Sequence, residues 1–145
     1  MRSRIVAVLI CSSAVYSGHA VADNRAQAVA AIEECNQFSQ FDIRECLKKR
    51  AIDSAAALTQ AEARAAAAIA SWDESDTYIK DAGIKLRAAN ASFVRDRQVQ
   101  CAFASSLIGG GAGNSHEIKR LACVADMNAL RTFQLDRDTG KLVPK

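Results

Sequence analysis

The chain has 145 residues, of which 50% are hydrophobic and 24% are charged, enough for one domain with a modest core and too few for two. Its 19 basic and 16 acidic residues give a net charge of +3, and removing Arg2 and Arg4 with a predicted signal peptide leaves 17 basic against 16 acidic residues. A charge this close to zero excludes a strong electrostatic attraction to nucleic acid or to an anionic membrane.

Residues 1–22 have the pattern of a secretory signal peptide. Arg2 and Arg4 precede an apolar stretch, Ile5 to Tyr16, which is too short to span a bilayer. Ala20-Val21-Ala22 then supplies the small residues that a signal peptidase requires. We therefore predict cleavage after Ala22 and export of the remaining chain.

Cys11 lies inside that apolar stretch and follows Ile10, which does not suit a lipid-attachment site, so we expect no lipid anchor. The mature chain, 23–145, contains no second long apolar run. We predict that it is a single secreted domain with no stable membrane insertion. If the source is a Gram-negative bacterium, its compartment is the periplasm.

Four cysteines remain in the mature chain, and an even number in an exported chain predicts two disulfides. Four cysteines allow three pairings. Two local helical hairpins favour the pairs Cys35 with Cys46 and Cys101 with Cys123.

The composition predicts an all-α fold. Pro144 is the single proline, and seven of the ten residues from Ala61 to Ala70 are alanine, the best helix former. No stretch shows sustained alternation of β-branched residues. We expect a small, disulfide-stapled antiparallel bundle of about four helices, two of them long.

Asp23 to about Gln37 is predicted to be the first helix, with a turn at Asn36–Phe41. Asp42 and Glu45 have the form of a capping box and predict a second helix from there to about Trp72. Its apolar stripe is made mostly of small residues, so we expect it to pack closely along the next helix. The members of the stripe are Leu47, Ala51, Ser54, Leu58, Ala61, Ala65, Ala68 and Trp72.

After the acidic turn Trp72–Asp76, a third helix is predicted from about Thr77 to Leu107. Arg97 is the charged member of its apolar face, so the guanidinium must be paired or must reach water. This face consists of Ile79, Ala82, Leu86, Ala89, Phe93, Arg97, Cys101, Ala104 and Leu107.

A glycine-rich loop, Gly109–Gly113, follows. Asn114 and Glu117 again have the form of a capping box and predict a fourth helix to about Leu135. Residues 136–145 are predicted to be a frayed tail. The inward residues of the fourth helix are predicted to be Ile118, Leu121, Ala122, Ala125 and Ala129.

The glycine loop also predicts how the helices on either side of it pair. Cys101 and Cys123 each lie about eleven residues from Ala112 in the loop. Because a helix rises by a constant length per residue, two equal antiparallel arms bring these cysteines level. The stretch therefore predicts a helical hairpin closed by a disulfide.

Catalytic and metal chemistry are poorly supported. His116 is the one histidine left after the signal peptide, no Gly-x-Ser-x-Gly turn occurs, and the cysteine spacings lack the short pairs of zinc sites. The glycine loop has no lysine after Gly113 to bind phosphate. Asp73, Glu74 and Asp76 could act on glycans, but a turn crowded with acids is usually a solvated surface. We predict no catalytic residue, no metal and no cofactor.

An early pair of cysteines is followed by an aromatic residue, an arginine and a cysteine on one helix, then by a glycine-rich stretch, a cysteine and an arginine. These residues are Cys35, Cys46, Phe93, Arg97, Cys101, Gly109 to Gly113, Cys123 and Arg131. This order resembles the LprI-type lysozyme-inhibitor family. The chain departs from the family pattern at Phe93, where tryptophan is usual, at Gln98, where an acid is usual, and near Ala61–Ala70, which replaces a Leu-Asn-x-x-Tyr signature.

By resemblance, the implied activity is binding and inhibition of lysozyme in the cell envelope. Phe93 is predicted to be a core aromatic residue, and Arg97 and Arg131 are predicted to tie helices together through buried hydrogen bonds. The motif residues are thus predicted to have mainly structural roles.

We predict a protein-binding domain, in the first hypothesis a lysozyme inhibitor whose protruding loop enters a sugar-binding cleft. The second hypothesis is a non-inhibitory envelope adaptor or complex subunit, and the third and least favoured is a cell-wall glycan enzyme. No nucleic-acid partner is expected, and no feature specifies an oligomeric state. The predicted partner-binding residues are Gly109, Gly110, Gly111, Gly113, Asn114, Ser115, His116 and Glu117.

Overall fold

The computed structural model describes residues 31–36, 39–111 and 113–145. Residues 31–35 are helical, in agreement with the end of the predicted first helix. The rest of that helix and the predicted signal peptide lie outside the described residues.

Three long helices follow this segment: α1, Gln40–Ala70, α2, Asp76–Ser106, and α3, Ser115–Thr139. In the described part of the chain no strand is present apart from an isolated bridge between Trp72 and Pro144, so the predicted all-α fold is confirmed. At about 1.5 Å per residue, α1 and α2 each extend about 46 Å. No helix among the described residues is long and apolar enough to cross a membrane.

α1 begins three residues before the predicted position. Ser39 is its N-cap, and the Ser39 hydroxyl accepts a hydrogen bond from the Asp42 backbone N–H at 3.4 Å while donating to the Asp42 carboxylate at 2.5 Å. Asp42 is therefore the third helical residue and the acidic partner of the cap. The prediction of Asp42 as the cap was wrong because Ser39 satisfies the same orphan backbone donors one turn earlier.

Both predicted disulfides are present. Cys35 pairs with Cys46, with Cα atoms 5.9 Å apart, and Cys101 pairs with Cys123, with Cα atoms 5.5 Å apart. The first bridge ties the 31–35 segment to α1, and the second ties α2 to α3. Of the three pairings that four cysteines allow, this is the one that the two local hairpins favoured.

The small-residue face of α1 packs chiefly along α3 and only slightly along α2, whereas we predicted packing along the next helix. One buried cluster contains Cys35, Ile43, Leu47, Leu121 and Ala122. The other contains Leu58, Ala61, Ala65 and Leu135, with Leu86 and Phe93 of α2 packed against it. Alanine side chains let the α1 and α3 backbones approach closely, and α2 then covers one side of that pair.

The C-terminal residues are held in place, whereas the sequence predicted fraying from Asp136. α3 continues to Thr139, and Arg64 of α1 binds both carboxylate oxygens of Asp136, at 2.7 and 2.9 Å. Beyond the helix, the Asp73 N–H donates to the Val143 carbonyl at 2.8 Å. Backbone hydrogen bonds to the α1–α2 turn thus order a segment whose own sequence favours no regular structure.

Candidate functional site

The aromatic and arginine residues of the resemblance meet between α2 and α3. The guanidinium carbon of Arg97 lies 5.5 Å from the centre of the Phe93 ring, and that of Arg131 lies 5.9 Å from it. Both distances are within the range of cation–π attraction. All three side chains are half-buried, so the cluster joins two helices and presents little surface to a partner.

Arg97 is paired, as its position on an apolar face required. It donates a hydrogen bond to the side-chain oxygen of Asn128 on α3, and the Asn128 amide donates to the Ser54 hydroxyl of α1 at 3.1 Å. Asn128 is completely buried. One polar chain therefore links all three long helices through their centre.

The periodicity of the sequence did not identify Asn128 as a buried residue and predicted instead that Ala129 faces inward. Ala129 is exposed. The alternating spacing of three and four that begins at Ile118, Leu121 and Ala125 reaches Asn128 when it is continued, and this signal could have identified it. The polar character of asparagine argued against an interior position until its partners were known.

Arg131 makes two hydrogen bonds, to Asn90 of α2 and to Gln134, both at 3.0 Å. Its Nε atom is buried without a hydrogen-bond partner, as is the Thr132 hydroxyl. The predicted role of Arg131 in tying helices together thus agrees with its contact to Asn90.

The glycine loop lies at the opposite end of α2 from the α1–α2 turn. Three of its glycines occupy positions that other residues would fill only with strain or overlap. Gly109 has φ +60° and Gly113 has φ +64°, a left-handed conformation that other residues adopt at a cost. A side chain at Gly111 would overlap that of Ile108. Gly110 faces open space, with no atom within 4 Å of a Cβ built there.

The polar residues after the loop turn toward the body of the protein. The predicted Asn114–Glu117 capping box does not form, since Asn114 makes no side-chain cap bond. Its side-chain oxygen instead accepts from Arg44 of α1 at 3.5 Å, and the same guanidinium lies 3.9 Å from the Glu117 carboxylate. A tertiary contact with α1 thus replaces the local cap.

His116 is also engaged internally. Its ring nitrogens lie 3.0 Å from the Ser105 carbonyl oxygen and 3.1 Å from the Gly109 carbonyl oxygen. The Ser105 hydroxyl donates to the His116 carbonyl at 2.9 Å. Of the predicted partner-binding residues, the described glycines are therefore exposed, while Asn114, His116 and Glu117 fasten the loop from within.

An apolar ridge on α2 leads into the loop. Val99, Phe103 and Leu107 are 68%, 60% and 68% exposed, and their spacing of four places them along one side of the helix. We call these three residues the α2 ridge. Leu107, the C-cap residue of α2, was predicted to face inward and faces solvent instead, because it continues the exposed side that Val99 and Phe103 occupy.

A second apolar surface lies near the other end of the molecule. Ile69 and Ala70 of α1 and Ile79, Gly83 and Ile84 of α2 line a groove of about 460 Å³ between the two helices. The limited packing of α1 against α2 leaves this groove open.

A cavity of about 290 Å³ lies between the 31–35 segment, α1 and α3. Glu34, Arg50, Asp53 and Asp126 are among its lining residues, and Glu34 forms an ion pair with Arg50. Burial raises the pKa of Asp126 to about 6, an effect that the charge of Lys119 partly offsets.

Asp126→Asn is expected to increase the free energy of unfolding at pH 7. The pKa of Asp126 is 3.8 in the unfolded chain and about 6 in the folded chain. Between these two values the folded chain keeps a proton that the unfolded chain has released, so the free energy of unfolding falls as the pH rises toward 6. Because the carboxylate is partly exposed, we expect a gain of at most about 1 kcal/mol.

Denaturant unfolding of both proteins at pH 4 and at pH 7 measures this gain. The free energy of unfolding of the parent should fall relative to that of the variant as the pH is raised from 4 to 7. An unchanged difference between the two proteins would contradict the assignment of this pH dependence to Asp126.

The acidic turn shows no arrangement for glycan chemistry. Asp73, Glu74 and Asp76 are all exposed, and Asp73 uses its backbone to hold the C-terminal tail. In the ranges 31–36, 39–111 and 113–145, no three His, Cys, Asp or Glu side chains are grouped so that they could hold a metal ion.

Comparison with known proteins gives one family. The family described as "Lysozyme inhibitor LprI" matches residues 32–135, a range that includes both disulfides, the cluster around Phe93 and the glycine loop. No curated protein and no solved structure matches the chain.

Proposed function

The chain belongs to the lysozyme inhibitor LprI family, and on that premise we propose that it is an exported protein that binds and inhibits a lysozyme. The contact surface in this proposal is the α2 ridge together with the exposed glycines of the loop. The proposed activity is binding without chemistry. The description of the family as one of inhibitors supports this, as does the engagement of the motif residues in holding helices together.

The observation that carries the proposal is that the α2 ridge is exposed next to a glycine loop that internal hydrogen bonds hold in place. Three large apolar side chains, Val99, Phe103 and Leu107, remain mostly in water in a small domain, and such surfaces commonly mark protein contacts. The neighbouring glycines offer backbone N–H and C=O groups with no side chain to obstruct a narrow cleft. Internal bonds of Asn114 and His116 hold the loop, which lowers the entropy lost on binding.

Charge contributes little to the proposed recognition. Lysozymes are commonly cationic, and the mature chain has 17 basic against 16 acidic residues. Apolar contact and shape therefore account for the affinity, and inhibition should change little between low and moderate salt.

Gly110→Trp is expected to weaken inhibition by at least about tenfold, which corresponds to about 1.4 kcal/mol of binding free energy. A Cβ at Gly110 meets no atom within 4 Å in the free protein, so we expect the new side chain to extend into solvent and to obstruct a partner. The measurement is residual activity of c-type, g-type and i-type lysozymes titrated with purified variant and parent protein.

The matched control is Ala88→Trp, which places the same side chain at an exposed position of α2 away from the loop. It should leave inhibition at the parent level. Inhibition by the parent that Gly110→Trp does not weaken would remove the loop from the contact surface.

A non-inhibitory envelope adaptor is the alternative function, and the groove between α1 and α2 is the observation that favours it. Ile84 is 58% exposed there beside Ile69 and Ile79, which gives a second apolar surface for a helix of another protein. Absence of inhibition against all three lysozyme types, with binding of an envelope protein that Ile84→Lys abolishes, would favour the adaptor.

A further inference from the structure

The His116 side chain bridges the end of α2 and the start of α3. Its Nδ1 lies 3.0 Å from the Ser105 carbonyl oxygen, and its Nε2 lies 3.1 Å from the Gly109 carbonyl oxygen. The Ser105 hydroxyl returns a hydrogen bond to the His116 carbonyl at 2.9 Å. The imidazole therefore spans the turn that leads from α2 into the glycine loop.

Both partners of the imidazole are carbonyl oxygens, which can only accept. Each ring nitrogen must carry a hydrogen to bond its partner, and only the protonated imidazolium has two N–H groups. A neutral imidazole donates to one carbonyl and turns a lone pair toward the other. We propose that His116 is a protonation-dependent clasp, which fastens the Ser105–Gly109 turn to α3 in the imidazolium form and releases one carbonyl in the neutral form.

The helix ends around the ring have opposing effects on its charge. The last turn of α2 presents carbonyl groups and favours a cation there, whereas the first turn of α3 presents N–H groups and disfavours one. α2 and the loop contribute no charged side chain after Arg97. The ring therefore lies between two helix ends of opposite polarity.

Charged side chains of both signs follow His116 on α3: Glu117, then Lys119 and Arg120. From α1, Arg44 approaches the start of α3, where it lies 3.9 Å from the Glu117 carboxylate. The two forms of the ring differ in the number of N–H groups that they can donate, and the clasp depends on that number.

The clasp would regulate binding at the loop. A fastened turn holds Leu107 and the exposed glycines in one geometry, and preorganisation of this kind increases affinity. This consequence rests on the proposed function, whereas the clasp itself does not. Protonation of the imidazole should therefore tighten inhibition, and histidine is the side chain that changes charge between pH 8 and pH 5.

Amide hydrogen exchange at pH 5 and pH 8, expressed as protection factors, tests the clasp in the purified protein. The amides of Ile108, Gly109 and Gly111 are hydrogen-bonded within the turn, and we expect them to be about fivefold better protected at pH 5, the factor that corresponds to one hydrogen bond. Equal protection of these amides at the two pH values would overturn the proposal, and this measurement needs no variant.

Two variants assign the effect to the imidazole. His116→Gln has no ionisable group, so its protection should be independent of pH. Glu117→Gln removes the adjacent carboxylate and keeps the histidine, so it should retain the difference. A pH difference that persists in His116→Gln would contradict the assignment.

Lysozyme inhibition at the same two pH values separates this inference from the proposed function. Stronger inhibition at pH 5 in the parent but not in His116→Gln would support both. Protection that depends on pH in a protein that inhibits no lysozyme would support the clasp and overturn the inhibitor function.

Discussion

Replacing Asn128 with alanine is expected to lower the free energy of unfolding by about 3 kcal/mol. The change removes the acceptor of Arg97 and the donor to Ser54, both half-buried. It also leaves a cavity at a side chain that is completely buried, and neither loss is replaced by water in a packed interior.

Urea unfolding monitored by far-ultraviolet circular dichroism measures this loss. Ala129→Ser, at the exposed neighbour, is the matched control and should change stability by less than about 0.5 kcal/mol. Equal losses in the two variants would place Ala129 inside and overturn the orientation of α3.

A double replacement tests whether the polar link itself is needed. Asn128→Leu together with Arg97→Met removes both partners and fills the space with apolar atoms. We expect the pair to lose less stability than the sum of the two single variants, because the Arg97 guanidinium is then not left without its acceptor. The Ser54 hydroxyl loses the Asn128 donor in both cases and still donates to the Ala51 carbonyl. Additive losses would show that Arg97 and Asn128 do not act on each other.

Removing the Cys101–Cys123 bridge with paired alanines is expected to cost about 3 kcal/mol, the chain-entropy value for a loop of this length. The cysteines are 22 residues apart. They join α2 to α3, and α2 packs only slightly on α1, so this bridge supports the helix with the fewest other contacts. Hydrogen exchange should therefore increase more in α2 than in α1.

The other bridge provides the comparison. Cys35 and Cys46 are 11 residues apart, half the separation, and halving a loop changes its closure free energy by only about 0.6 kcal/mol. Alanines at these two positions should thus destabilise the protein by nearly as much, with the increased exchange at the start of α1. Thermal unfolding of the two variants tests this, and a loss confined to one of them would show that the entropy of the loops is not the main contribution.

The sequence by itself determined the properties that depend on neighbours along the chain. Alanine-rich composition specified helices, and the glycines between Gly109 and Gly113 specified a turn between two of them. One pairing of the cysteines was favoured as well, because residues equally far from a tight turn meet when the two arms fold back. Local geometry is sufficient for each of these conclusions.

Other features depended on which surfaces meet, and only the tertiary structure decided them. The small-residue face of α1 could have packed on α2 or α3, because alanine distinguishes poorly between a buried and an exposed position. Asn128 is inside because Arg97 and Ser54, on two other helices, supply its partners. Asn114 remains the N-cap residue of α3, but its side chain accepts from Arg44 of α1 and makes no cap hydrogen bond. Periodicity shows which residues share a helix face, but the partner of that face is a contact between distant parts of the chain, which no local pattern contains.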